Sequence, residues 1–178
     1  GRIERVDIET GEIETLHTEF DGHALCGPND IVFDAKGNFW FTDLGKSREF
    51  DMDRGSVYYA RSDGSMIVRA AHPLMTPNGI GLSPDDSRVY AAETDPRRLI
   101  AWDIIGEGKL ATKPWPAISW GELVMAPEGE KRFDSLALEA NGNICVATLL
   151  TGGITVAAPE GGVVEFIPLP DIMTTNIC

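Results

Sequence analysis

The chain has 178 residues, 43% hydrophobic and 24% charged, which suits one globular domain with a sizeable core. Its 28 acidic and 15 basic side chains give a formal charge of −13, a field that repels a phosphate backbone and argues against nucleic-acid binding. No apolar run reaches the ~18 residues of a membrane-spanning helix, and three cysteines without CxxC spacing imply no disulfide framework, which favours a reducing compartment, the cytoplasm.

The opening "RIERVDIETGEIETLHT" reads as a hairpin turning at Thr10-Gly11. In "PNDIVFDAKGNFWFTD", residues 28–43, Ile31 and Phe33 follow Asn29 at a period of two, predicting a strand with one buried face. A turn at Gly37 and a second strand, "FWFTD", complete this unit. "SVYYARSDGSMIVRA" then predicts a hairpin about Asp63-Gly64.

The same unit returns in "TPNGIGLSPDDSRVYAAET", with Ile80 and Leu82 after Asn78, a turn at Asp86 and the strand "RVYAAE". "LIAWDIIGEGKLA" is a hairpin about Gly106 and Gly108, and "KPWPAISWGELVMAPEGEKR" reads as a long connecting loop. A third copy, "FDSLALEANGNICVAT", places Leu136 and Leu138 after Asp134 and a turn at Gly142. "GITVAAPEGGVVEFIPL" turns at Gly161-Gly162, and "DIMTTNIC" puts Ile177 where Ile31, Ile80 and Leu136 stand.

No segment carries a 3.6-residue apolar stripe, so the fold class is all-β. Anchors spaced 49 and 56 residues apart, with four strands to a unit, are the signature of a β-propeller. The chain, residues 1–178, forms a single partial propeller domain of three to four blades, entering a fourth at its end. An open arc leaves an apolar face and unpaired edges at its ends, so the chain reads as part of a larger ring, with pairing to another chain as one way to close it.

Loops that precede innermost strands converge at one mouth of a propeller's channel. One Asn there is explained as an Asx-turn residue. Three in register, Asn29, Asn78 and Asp134, point instead to a shared site of hard oxygen ligands suited to calcium, magnesium or manganese. One carboxylate holds such a cation weakly, and a second acid is expected.

Other residues offer less. His17, His23 and His72 share no ligand spacing and suit surface or loop roles. "DMDRG" lacks the spaced acids of a calcium loop and reads as a solvated turn, and no Gly-x-Ser-x-Gly elbow occurs. Cys145, inside a strand, reads as a small buried hydrophobe.

The run "GPNDIVFDAKGNFWFTD", "TPNGIGLSPDDSRVYAAET", "FDSLALEANGNICVATLLTGGITV" and "TTNIC" resembles the senescence marker protein/regucalcin/gluconolactonase family along essentially the whole chain. The resemblance implies a six-bladed propeller with one divalent cation in its channel, most often calcium, with zinc, magnesium or manganese as alternatives, and hydrolysis of sugar lactones. It makes Asn78 and Asp134 metal ligands, and Asn29 a substrate contact beside the metal. The family's remaining ligand, a Glu in its first blade, falls upstream of Gly1. The Arg that some family lactonases carry before "PND" is absent; Gly27 and Pro28 stand there. Asp134, the one acid among the anchors, is the candidate general base, and Asp30 alternates away from Asn29 to brace its loop. Ester hydrolysis at the same metal, and a non-catalytic calcium-binding propeller, are the rival readings.

Overall fold

The computed structural model describes residues 1–114 and 121–178. Among these every regular element is a strand, and no helix is long and apolar enough to cross a membrane. The opening hairpin pairs β1 (Ile3–Val6) with β2 (Ile13–His17), and β3 (Glu19–Phe20) pairs with β4 (His23–Ala24).

Three antiparallel sheets follow. The first runs β5 (Pro28–Phe33), β6 (Phe39–Asp43), β7 (Gly55–Ala60), β8 (Ile67–Leu74) in order. The second runs β9 (Pro77–Leu82), β10 (Arg88–Glu93), β11 (Arg98–Gly106), with β12 (Lys109–Leu110) and β13 (Glu122–Met125) both on the outer edge of β11. The third runs β14 (Arg132–Leu138), β15 (Ile144–Leu149), β16 (Gly153–Ala157), β17 (Val163–Pro168). These are three propeller blades, with β5, β9 and β14 innermost.

The repeated turns hold as read. Gly37, Asp86 and Gly142 all have positive φ (79°, 55° and 93°), and their N–H groups donate to Asp34, Ser83 and Glu139 carbonyls. Asp is among the few non-glycine residues that visit this region, and the Asp86 carboxylate accepts from Ala35 N–H of the neighbouring blade at 2.7 Å.

The core lies between blades. One cluster joins Trp40, Val57 and Tyr59 of the first blade to Ile80, Val89 and Ile100 of the second. Another joins Tyr90, Leu99 and Ala101 of the second to Phe133, Leu136 and Val146 of the third. Gly79 and Gly81 let β9 approach β14: a Cβ at either would come within 2.5 Å of β14 atoms.

Three expectations need correction. The segment read as a long loop contains β13, whose Val124 and Met125 are buried in the second interblade cluster. At four residues, "ELVM" is too short to show a period. Residues 115–120 of that segment lie outside the described residues.

Ile31 and Phe33 are not buried but 44% and 59% exposed, whereas Ile80 and Leu136 are 2% and 5% exposed. The face they occupy packs on the preceding blade in β9 and β14. In β5 no full blade precedes it, and Val32 on the opposite side reaches the core instead. His17 is also buried, at the end of β2, rather than on the surface. His23 and His72 are exposed, as expected.

At the far end, Ile177 packs against Cys145, Ala147 and Ile154, and Ser135 N–H donates to Thr175 C=O at 3.3 Å. The terminal segment thus lies beside β14, as an innermost strand would. Cys145 is buried, Cys26 half-buried and Cys178 exposed, all three free. In "DMDRG", Asp51 and Asp53 are engaged by Arg48, which holds the half-buried Asp53 carboxyl down to about 2. That is a closed surface turn.

Candidate metal centre

The three innermost strands share an irregularity that strand periodicity hides. Pro28 pairs with Asp43 and Ile31 with Phe41, so Asn29-Asp30 together oppose Thr42. Asn78-Gly79 likewise oppose Ala92, and Asp134-Ser135 oppose Ala147. Each anchor is therefore the first residue of a two-against-one β-bulge. A bulge takes its residues out of the hydrogen-bond ladder and re-aims their side chains, which is why such features gather at functional sites.

The second bulge residues tie the strands together. The Asp30 carboxylate accepts from Ile80 N–H (3.2 Å) on β9, from Ser135 Oγ (2.9 Å) on β14 and from its neighbour Ile31 N–H (2.9 Å). It clasps all three inner strands. Fully buried Thr42 adds a second link, accepting from Asp30 N–H and donating to the Asn78 carbonyl.

Asn78 is 6% exposed. Its Nδ2 donates to Thr94 Oγ1 at 3.2 Å, and among the described residues its buried Oδ1 has no hydrogen-bond partner. Buried polar atoms are seldom left so, and each asks for an explanation. Asp134 lies beside it. Burial raises the Asp134 carboxyl above its ordinary value; the Ser135 N–H and the Asn78 amide pull it back, and the Asp30 charge adds to the rise. A half-buried carboxylate with no salt bridge among the described residues, next to an orphaned amide oxygen, is a donor set a hard divalent cation fits. Asn78 and Asp134 are the residues that would hold it. Among the described residues no group of three or more His, Cys, Asp or Glu side chains could hold a metal ion, and the candidate set rests on the Asn78 amide and the Asp134 carboxylate.

Asn29 is placed differently. It is exposed and lines a recess of about 230 Å³ with Arg2, Glu4 and Phe41, next to a channel cavity of about 440 Å³ bordered by Asp30, Ile80 and Ser135. The structure brings Asn78 and Asp134 together and leaves Asn29 one strand away, joined to them through the Asp30 clasp.

Sequence reading missed Thr42 and Thr94. Thr94 follows the residue that pairs with Pro77; the corresponding positions in the other blades are Leu44 and Leu149. No repetition marked it.

The model of the SMP-30/gluconolactonase/LRE-like region matches residues 1–178, the entire chain. The chain belongs to this family. It is 31% identical over 160 residues to a diisopropyl-fluorophosphatase of Loligo vulgaris, covering 84% of this chain and 49% of that protein. It is 29% identical over 171 residues to the lactonase drp35 of Staphylococcus saprophyticus, covering 96% and 50%. Its fold superposes with TM-score 0.78 on a calcium-binding protein, regucalcin, from Agrobacterium tumefaciens, at 21% identity and covering 97% and 55%. The chain spans about half the length of the curated relatives it matches. The family member described here is thus a partial propeller.

Proposed function

We propose that this chain carries the cation-binding side of a lactone hydrolase that opens sugar-type lactones. The observation that carries the reading is the buried, unpartnered Asn78 Oδ1 beside the Asp134 carboxyl, at matching bulges of neighbouring strands. Relatives named lactonase or gluconolactonase support the reading of a lactone substrate. Calcium suits the amide and carboxylate oxygens best, with magnesium, manganese or zinc as alternatives; when bound, the cation supplies Lewis acidity at the lactone carbonyl.

Asp134 has the chemistry of the general base. It is the one acid among the three bulge anchors, and so the group there that can accept a proton from an attacking water. Asn29, at the lip, offers an amide to orient ring hydroxyls. The exposed face of Ile31 and Phe33 is where further blades, of the same or a second chain, complete the pocket. The free thiols fit a reducing, cytoplasmic setting.

The test is ring opening of an aldonolactone in the presence of calcium. Activity lost with a chelator and with Asp134→Ala supports the reading; activity surviving either change overturns it. The likeness to a fluorophosphatase favours one second reading, attack on another electrophile at the same centre. Aryl esters and diisopropyl fluorophosphate beside aldonolactones separate the two.

A further inference from the structure

We propose that Thr94 is a positioning residue that fixes which end of the Asn78 amide is free to meet a cation, an inference that rests on the cation-site reading above. A threonine hydroxyl has one hydrogen to give. Thr94 Oγ1 gives it to the Phe133 carbonyl on β14, at 2.7 Å. Toward Asn78 it is then left only as an acceptor, and the group 3.2 Å away must be the amide nitrogen. Oδ1 is forced to the other side, where it is buried without a partner.

Had the amide been turned over, two acceptors would face each other, and the hydroxyl would have to abandon Phe133 to relieve them. Thr94 cannot drift to avoid the choice, because its own main chain is held at both ends. Its N–H donates to Thr76 C=O at 3.0 Å, and its carbonyl accepts from Arg97 N–H at 3.3 Å. The same hydroxyl also ties Asn78 to the residue immediately before Asp134. The Thr94 hydroxyl, together with the Asp134 carboxylate that also draws the Asn78 amide, therefore sets the orientation of the amide and its spacing from the carboxylate. Partners of this kind commonly govern metal affinity by about 10–100-fold.

Thr94→Val removes the hydroxyl at nearly constant volume, and Thr94→Ser keeps it. Calcium titration calorimetry is expected to show affinity falling about 10–100-fold in Thr94→Val and restored in Thr94→Ser. Side-chain amide resonances of Asn78 in chelator provide a readout that needs no cation. One Asn78 amide proton is expected to be protected from solvent exchange in the wild type and in Thr94→Ser, and to lose that protection in Thr94→Val. Wild-type calcium affinity in Thr94→Val overturns the proposal, and so does an Asn78 amide exchanging freely in the wild-type chain, whether or not the valine variant folds. If the amide signals respond to Thr94→Val but the wild type binds no calcium, the orienting role stands and the cation reading falls.

Discussion

Gly79→Ala isolates the spacing of the candidate centre from the chemistry of its ligands. A Cβ at Gly79 would lie 2.5 Å from the Asp134 carbonyl oxygen, 2.7 Å from Leu136 N and 2.8 Å from the Ser135 carbonyl carbon. All three are backbone atoms, so no rotamer change relieves the clash; β9 and β14 must separate. Moving the nearest contact from 2.5 Å to the 3.0 Å floor of real Cβ contacts opens the strands by at least 0.5 Å at the anchors. Metal–ligand distances hold within about 0.2 Å, so the Asn78–Asp134 pair no longer spans one ion. We expect calcium affinity to fall by at least about tenfold, with about 1–3 kcal/mol of stability lost to overpacking. Gly81→Ala is the control. Its Cβ meets the Leu136 and Leu138 Cδ1 tips at 2.5 Å, and those side chains can turn away. It should cost stability in the same range and leave calcium binding intact. Calorimetric titration with urea melts of both variants decides the matter: wild-type affinity in Gly79→Ala, or equal losses in both, refutes the spacing argument.

Other consequences are open to direct measurement. Because burial raises the folded Asp134 pKa above its unfolded value near 3.8, its contribution to stability is full below that value and lost as pH rises through the folded one. Above the folded pKa the half-buried carboxylate is therefore a cost, and there Asp134→Asn should melt above the wild type in chelator. With calcium at a hundredfold excess over Kd, the wild type should gain about 2.7 kcal/mol, roughly 5–10 °C, and the variant nothing. A variant that melts lower in chelator would contradict this. Glu93 is fully buried, accepting from Met75 N–H and pairing with Arg98; Arg98→Ala should cost about 3–5 kcal/mol by denaturant unfolding, and a loss below 1 kcal/mol would show that Glu93 is otherwise compensated. Burial lowers the His17 pKa below 6.5. Its contribution is full above 6.5 and declines as pH falls from there toward the lower folded value. His17→Gln should flatten that part of the pH–stability curve, and an unchanged slope below 6.5 would refute the assignment.

The strands were legible because propeller blades repeat a simple local code. Apolar residues at a period of two after each anchor and a positive-φ turn eight residues on mark β5/β6, β9/β10 and β14/β15 in the sequence itself. Exposure was not legible at Ile31 and Phe33, because a period of two states only that two faces differ, and the neighbouring blade decides which is buried. β13 was invisible for another reason: four residues carry no periodic signal, and pairing with a long β11 is a tertiary event. At the candidate centre the anchors were found through their register. The bulges that turn them out of the ladder leave that register untouched, since Ile31, Ile80 and Leu136 still fall two residues on. Thr42 and Thr94 act across blades, through contacts that a linear pattern does not record.

The proposed cation centre sets the chain a problem that repetition alone cannot solve. Three identical blades would present three identical side chains, whereas the centre needs a charge, an amide and a means of holding them apart. The second residue of each bulge shows how the symmetry is broken. Asp30 uses that slot as a clasp on two neighbouring strands, and Ser135 uses it to donate to that clasp. Gly79 uses it for closeness, since any side chain there would strike the Asp134 backbone. One backbone irregularity, copied three times, thus carries three different tasks, and the tasks are complementary. Neither Gly79 nor Ser135 could take over the Asp30 clasp, because neither side chain offers a carboxylate to accept from both β9 and β14. Exchanging side chains between these slots should therefore damage the centre more than replacing any one of them conservatively.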